Sequence, residues 1–197
     1  MLDLELKTQG DAPHSGLLVS NHLSYLDIIA YCAVRPCVFV AKSDVSRWPL
    51  FGWLAHAAGT IFVDRTRRCD AARGLREVEE ALRDGLLVVL FPEGTSSDGR
   101  TVLPFKSSLL RAALGPEYPI TAAAIRYALP GGGSVEDEVC YWRDMTLLPH
   151  LWNLFRRPAV SCTIRFLPMN CARRDRKQLA HELWCAVHRL HASRIAD

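Results

Sequence analysis

The sequence predicts an α/β fold: a mostly parallel sheet flanked by helices, in a single domain spanning residues 1–197. Three observations carry that expectation. Short runs rich in Val, Ile, Leu and Phe recur along the chain, apolar at consecutive positions, which suits strands covered on both faces. Segments of helical period fall between several of these runs. With 197 residues, 49% of them hydrophobic, the chain is long enough to bury one substantial core.

Taken in order, strands are expected at 16–20, 37–41, 60–64, 86–91, 119–126 and 158–168. After the first of these a helix is expected to begin near Ser24. Residues 69–84 place Leu75, Val78 and Leu82 on one helical stripe among charges, with Gly85 as the stop. The same spacing recurs at 175–195 through Leu179, Leu183, Val187 and Leu190. Between the last two strands, "PGGGSVEDE" at 130–138 reads as a surface hairpin or loop. No internal repeat or interdomain linker is visible.

Composition narrows the function. A formal charge of +3, without aromatic residues interleaved in a basic motif, argues against nucleic acid as a partner. The seven cysteines include no C-x-x-C pair, and no secretory leader precedes them, so reduced thiols used for packing are expected. No apolar run reaches the roughly 18 residues of a spanning helix. Gly131–Gly133 lack the Lys and Ser/Thr that would complete a phosphate loop, which leaves nucleotide binding without support.

The chemistry begins at "LLVSNHLSYLDII", residues 17–29, where an apolar run carries Asn21, His22 and Asp27 across a strand-to-helix junction. Open α/β sheets bind ligands at the carboxyl edge, and this turn lies on it. Five residues of helix amount to about 140° of rotation, so His22 and Asp27 meet only if His22 precedes the helix. A carboxylate on one ring nitrogen would fix the tautomer and leave the other to accept a proton, as in a general base with an orienting partner. A capped helix with an incidental histidine is the plainer alternative. "FPEGTSS" at 91–97 brings Glu93 and a permissive Gly94 to the same edge, or forms an ordinary turn. In "GTIFVDR" at 59–65, Arg65 ends a strand and by itself reads as one half of a surface ion pair.

Taken together, "NHLSYLD", "GTIFVDR" and "FPEGTSS" resemble, in order and approximate spacing, three blocks of the glycerolipid acyltransferases of the lysophosphatidic acid acyltransferase type. The likeness runs from about residue 16 to about residue 125, and "PFKSSLL" at 104–110 extends it. The resemblance implies that His22 and Asp27 are catalytic, with His22 taking a proton from an acceptor hydroxyl that then attacks the thioester of acyl-CoA or acyl-carrier protein. No acyl-enzyme and no cofactor or metal is implied, which agrees with the lack of a G-x-S-x-G elbow. Arg65 and Glu93 belong, by resemblance, to the acceptor-binding region. Backbone amides near Gly94 and Thr95 are candidate donors to the tetrahedral intermediate.

The chain departs from the family where Ser96 follows Thr95, since an Arg usually stands there, and where Ala122 replaces a second proline in "YPITAAAI". Lysophosphatidic acid remains the expected acceptor, with Lys106 as a candidate replacement for the missing charge. The string "FPEGTSSDGRTVLPFKSSLL" also looks like members that acylate lyso-ornithine lipid, an acceptor without phosphate. A non-catalytic lipid-binding relative and a thioester hydrolase are the further alternatives.

The expected location is the cytoplasmic face of a membrane, peripherally bound, with the family's N-terminal membrane helix absent or truncated. Trp48, Leu50, Phe51 and Trp53 form either an interfacial patch or core. Arg156, Arg157, Arg173, Arg174, Arg176 and Lys177 meet anionic lipid or water. The row His181, Cys185 and His188 faces away from the apolar stripe of its helix and is expected to be exposed and unliganded, with zinc as the alternative.

Overall fold

The structure, a computed structural model, describes residues 2–43, 46, 52, 55, 59–63, 68–114, 118–170 and 175–193. Trp48, Leu50, Phe51, Trp53, Arg65, Arg173 and Arg174 lie outside the described residues.

The strands are β1 (Asp3–Gln9), β2 (Gly16–Ser20), β3 (Val38–Lys42), β4 (Ile61–Val63), β5 (Leu87–Leu90), β6 (Ile120–Ala128) and β7 (Ala159–Met169). They form one sheet in the order β1-β7-β6-β2-β5-β3-β4. Every neighbouring pair is parallel except β6 and β7. The helices are α1 (Leu26–Val34), α2 (Arg68–Arg83), α3 (Val135–Glu138), α4 (Leu147–Phe155) and α5 (Arg176–Ala192), with a 3-10 segment at Ser107–Leu114. None of the described helices is long and apolar enough to cross a membrane.

Consecutive apolar residues in the strands divide between two cores. Leu17 and Val19 of β2, Val88 and Leu90 of β5, and Ala122 and Ala124 of β6 face α2, α5 and the 3-10 segment. Leu18, Val89, Ala123 and Ile125 face α1 and Leu154 of α4. Helices on both faces are what a parallel sheet requires, and that is why these strands show no polar face. The stripes expected from spacing are buried, with Val78 and Leu82 on α2 and Leu179, Leu183 and Val187 on α5. Gly85 closes α2 with its φ at 75°, while Leu86 N–H bonds Ala81 O at 3.0 Å and Gly85 N–H bonds Leu82 O at 3.2 Å.

Two expectations need correction. β1 is an additional edge strand whose alternating "DLELKTQ" half-buries Leu4 and Leu6 on one side only, so its charged residues break any continuous apolar run. Residues 130–134 form a surface loop, not a hairpin, and 135–138 are helical: Ser134 accepts a bond from Asp137 N–H at 3.2 Å and starts α3, and α4 follows before β7.

Candidate active site

The site forms where β2 leaves the sheet. Asn21 donates through Nδ2 to Ile125 O at 3.0 Å, and its Oδ1 accepts from Ile125 N–H at 2.9 Å. Its amide thereby acts as one more peptide unit, continuing the β2–β6 ladder beyond the Ser20–Ala123 pair. Tyr31 OH donates to Ser20 Oγ at 2.7 Å, and Ser20 Oγ donates to Asn21 O at 3.0 Å, which fixes the exit from the α1 side. The next residue, His22, is therefore held at the carboxyl edge before α1 begins.

His22 Nδ1 lies 2.7 Å from Asp27 Oδ2. Asp27 stands in the first turn of α1 and is wholly buried. The same Oδ2 accepts from Leu23 N–H at 2.7 Å and Ser24 N–H at 3.1 Å, and Oδ1 accepts from Tyr127 OH at 2.7 Å. With the carboxylate acting as acceptor throughout, Nδ1 carries the hydrogen and Nε2 keeps a lone pair. The His22 side chain is 23% exposed, and Nε2 has no hydrogen-bond partner among the described residues. The imidazole stacks on Phe91, with ring centroids 4.3 Å apart and planes 15° apart. This arrangement can accept a proton at Nε2 while Asp27 steadies the resulting cation.

The segment after β5 closes around this turn. Ser97 N–H donates to His22 O at 2.9 Å, and Lys106 N–H donates to Pro92 O at 2.9 Å. Ser96 Oγ donates to the carbonyl of Tyr141, whose own N–H bonds Leu23 O at 2.8 Å. The His22 turn, the 92–97 segment and Tyr141 are thereby laced together. Thr95 and Lys106 are exposed. Gly94 has a φ of 70°, and its N–H turns back to Phe91 O at 3.1 Å. That amide is engaged in the turn.

Glu93 is 2% exposed, and neither carboxylate oxygen has a hydrogen-bond partner among the described residues. Burial pushes its pKa up to about 8, and the charge of Asp27 adds to the rise. The backbone amides of Leu103 and His22 oppose the shift without reaching hydrogen-bond geometry. Glu93 therefore holds its proton at neutral pH, while Asp27 accepts from four donors. Burial first, and Asp27 second, hold Tyr127 well above its ordinary pKa, so it stays a donor.

Sequence reasoning missed Tyr127, Phe91 and the bracing by Asn21. Phe91 opens the "FPEGT" block and Asn21 precedes His22, so adjacency was a usable signal for both. Tyr127 had none, because its partner lies 100 positions away. On α5, His181 is exposed and its Nε2 lies 3.6 Å from Cys185 Sγ, while Cys185 and His188, expected to be exposed, are half-buried; Trp184 stacks on His181 and meets His188 at a tilt of 33°. No group of three or more His, Cys, Asp or Glu is gathered as metal ligands among the described residues. The six described cysteines, Cys32, Cys37, Cys69, Cys140, Cys162 and Cys185, are free thiols.

A buried carboxylate orienting a histidine at the carboxyl edge of a doubly covered sheet marks an enzyme-like site, and comparison with known proteins specifies the class. The chain belongs to the acyltransferase family, whose profile, described as Acyltransferase, matches residues 4–126. It is 36% identical to a lyso-ornithine lipid O-acyltransferase of Rhizobium meliloti, over 84% of this chain and 61% of that protein. It is 37% identical to a 1-acyl-sn-glycerol-3-phosphate acyltransferase of Neisseria gonorrhoeae, over 74% of this chain and 62% of that protein. The chain thus spans about six tenths of the length of these two curated relatives. The crystal structure of the 1-acyl-sn-glycerophosphate acyltransferase PlsC from Thermotoga maritima shares the fold, with a TM-score of 0.67 and 21% identity over 98% of this chain and 74% of that one.

Proposed function

We propose that this chain transfers a fatty acyl group from acyl-CoA or acyl-carrier protein to the free hydroxyl of a lysolipid. The observation that carries the reading is the 2.7 Å contact between His22 Nδ1 and the fully buried Asp27. His22 Nε2 removes the hydroxyl proton as the oxygen attacks the thioester carbonyl. The tetrahedral intermediate collapses, the C–S bond breaks, and the departing thiolate takes the proton back from the imidazolium. Asp27 holds the ring and offsets its transient charge. The reaction calls for no cofactor or metal beyond the donor thioester. Arg65, Glu93, Thr95 and Lys106 are assigned to acceptor binding on the strength of the family motifs, with Gly94 shaping the turn that follows Glu93. The protein works at the cytoplasmic face of a membrane, where its lipid substrates lie.

Two acceptors follow from the two kinds of relative. Lysophosphatidic acid, giving phosphatidic acid, is one. Lyso-ornithine lipid is favoured by a specific observation: Ser96 supplies no cation where the family usually has Arg, and its hydroxyl is taken up by the Tyr141 carbonyl.

The test is thiol release from an acyl-CoA by the purified protein, alone and with each lysolipid, using His22→Ala as control. Release that needs a lysolipid and is lost in the variant supports the transferase and identifies its acceptor. Equal release with and without lysolipid would make the protein a hydrolase. Lipid binding without any release would make it a non-catalytic relative.

A further inference from the structure

We propose that α4 is the membrane-docking face of this protein, laying Leu148, Trp152 and Phe155 into the interfacial layer of a phospholipid bilayer beside the His22 site. The proposal rests on the lysolipid reading of that site, because it supplies the surface from which a lysolipid would enter.

The residues of α4 separate cleanly. At about 100° per residue, positions 148, 152 and 155 fall within one narrow arc, and positions 150 and 154 fall opposite. Leu148 is 77% exposed, Trp152 65% and Phe155 56%, whereas His150 and Leu154 are buried. This reverses the usual economy of a surface helix, since the outer face of α4 is apolar and has no protein to cover it among the described residues.

The inner face is tied to the site. His150 Nε2 lies 3.1 Å from Cys140 O and so carries the hydrogen, which leaves Nδ1 to accept from Tyr25 OH at 3.0 Å. Tyr25 sits between His22 and Asp27 at the start of α1. The next residue after Cys140 is Tyr141, which accepts from Ser96 and donates to Leu23. Ile29, 54% exposed, stands one turn along α1 from Tyr25 and is another exposed apolar side chain.

The charges suit a lipid headgroup layer. Residues 147–157 contain no acid. Arg156 lies over the Trp152 ring at 5.5 Å, and Arg143 lies over Trp142 at 4.0 Å, so cations ride on indoles as they do at bilayer interfaces. Of the nearby acids, Glu136 and Glu138 are paired with Arg100 and Arg157, and Asp137 bonds Ser134. Asp144, Asp98 and Asp3, whose N–H bonds Pro158 O at 3.1 Å, also stand nearby but lie outside the helix itself. Size also favours a bilayer over a second protein. Three such side chains offer about 500 Å² on this side, short of the roughly 800 Å² that each partner contributes to a standard protein interface. A helix lying in the interface needs to bury its apolar face by only about 5–10 Å.

The deciding experiment is flotation of the full chain with phosphatidylcholine vesicles, with and without phosphatidylglycerol. The expected result is binding that weakens at least about tenfold when Leu148→Ser, Trp152→Ser and Phe155→Ser are combined, with circular dichroism and Tm unchanged. Arg156→Glu should remove mainly the part that depends on phosphatidylglycerol. Unchanged flotation of the triple variant would overturn the proposal. So would a wild-type chain that ignores both vesicles, or one that dimerises through this stripe while the triple variant still floats. His22→Ala separates this proposal from the functional reading, since it should float like wild type while releasing no thiol. If thiol release fails with every lysolipid while flotation still needs the stripe, the functional reading falls and the docking face stands.

Discussion

Tyr127 donates its hydroxyl to Asp27 at 2.7 Å, joining β6 to the carboxylate that orients His22. The bond occupies Oδ1, the oxygen that neither His22 nor the turn amides use. Tyr127→Phe leaves the ring in place and removes only the donor. A hydrogen bond to a charged group contributes about 1.5–3 kcal/mol, so urea unfolding should show a loss of that size. Asp27 would keep its contact with His22 but gain freedom to rotate. Thiol release should therefore fall about tenfold in kcat with KM for the acceptor little changed, which steady-state rates would check. Unaltered kcat would mean that the turn amides alone hold the carboxylate.

Asn21 is the second support, and its role is mechanical. Asn21→Ala strips the partners from both Ile125 N–H and Ile125 O, and each orphaned buried group costs about 1–3 kcal/mol. Urea midpoints should fall accordingly, further than for Tyr127→Phe. Asn21→Asp should rescue poorly, because a carboxylate can accept from Ile125 N–H but cannot donate to Ile125 O.

These supports mark the boundary of what the sequence shows. Parallel strands announce themselves by unbroken apolar runs, and β2, β5 and β6 were legible for that reason. The stripes on α2 and α5 and the stop at Gly85 were equally legible, since period and capping are local. That His22 must precede the helix to meet Asp27 followed from helix geometry alone. Tyr127, the bracing by Asn21 and the Ser96 bond to Tyr141 were not legible, because each joins segments brought together only by the sheet. The outward Leu148, Trp152 and Phe155 were also hidden: in a sequence, apolar residues on both sides of a helix look like core.

Glu93 makes stability depend on pH in a specific direction. Its folded pKa of about 8 stands above the ordinary 4.5, so the folded state holds a proton that the unfolded chain has released between those values. Stability therefore falls as pH rises through that window. His191 acts oppositely: burial first, and Arg126 second, lower it to about 4, so stability is lost as pH falls from 6.5 toward 4. Above pH 6.5 the His191 contribution is complete and that of Glu93 is still declining. Between about pH 6.5 and 8 the wild type should lose about 2 kcal/mol that Glu93→Gln does not lose. Urea unfolding across that range is the check, and parallel curves for the two proteins would show that Glu93 ionises without penalty.

Ser96 separates the two acceptors. Its hydroxyl bonds the Tyr141 carbonyl, so the position is filled by a bridge between "FPEGT" and the 140–142 segment and offers no charge. Ser96→Ala should break the bridge alone, costing about 1 kcal/mol of stability and leaving the ratio of rates on the two acceptors unchanged. Ser96→Arg also breaks it, but adds a planar cation suited to bidentate phosphate binding. If lyso-ornithine lipid is the acceptor, the arginine should raise kcat/KM for lysophosphatidic acid relative to lyso-ornithine lipid by about tenfold, equivalent to about 1.4 kcal/mol. The comparison with Ser96→Ala isolates the charge from the broken bridge. A wild type that already prefers lysophosphatidic acid, with Ser96→Arg no better, would show that other cations bind the phosphate, and Lys106→Ala would be the next variant to compare.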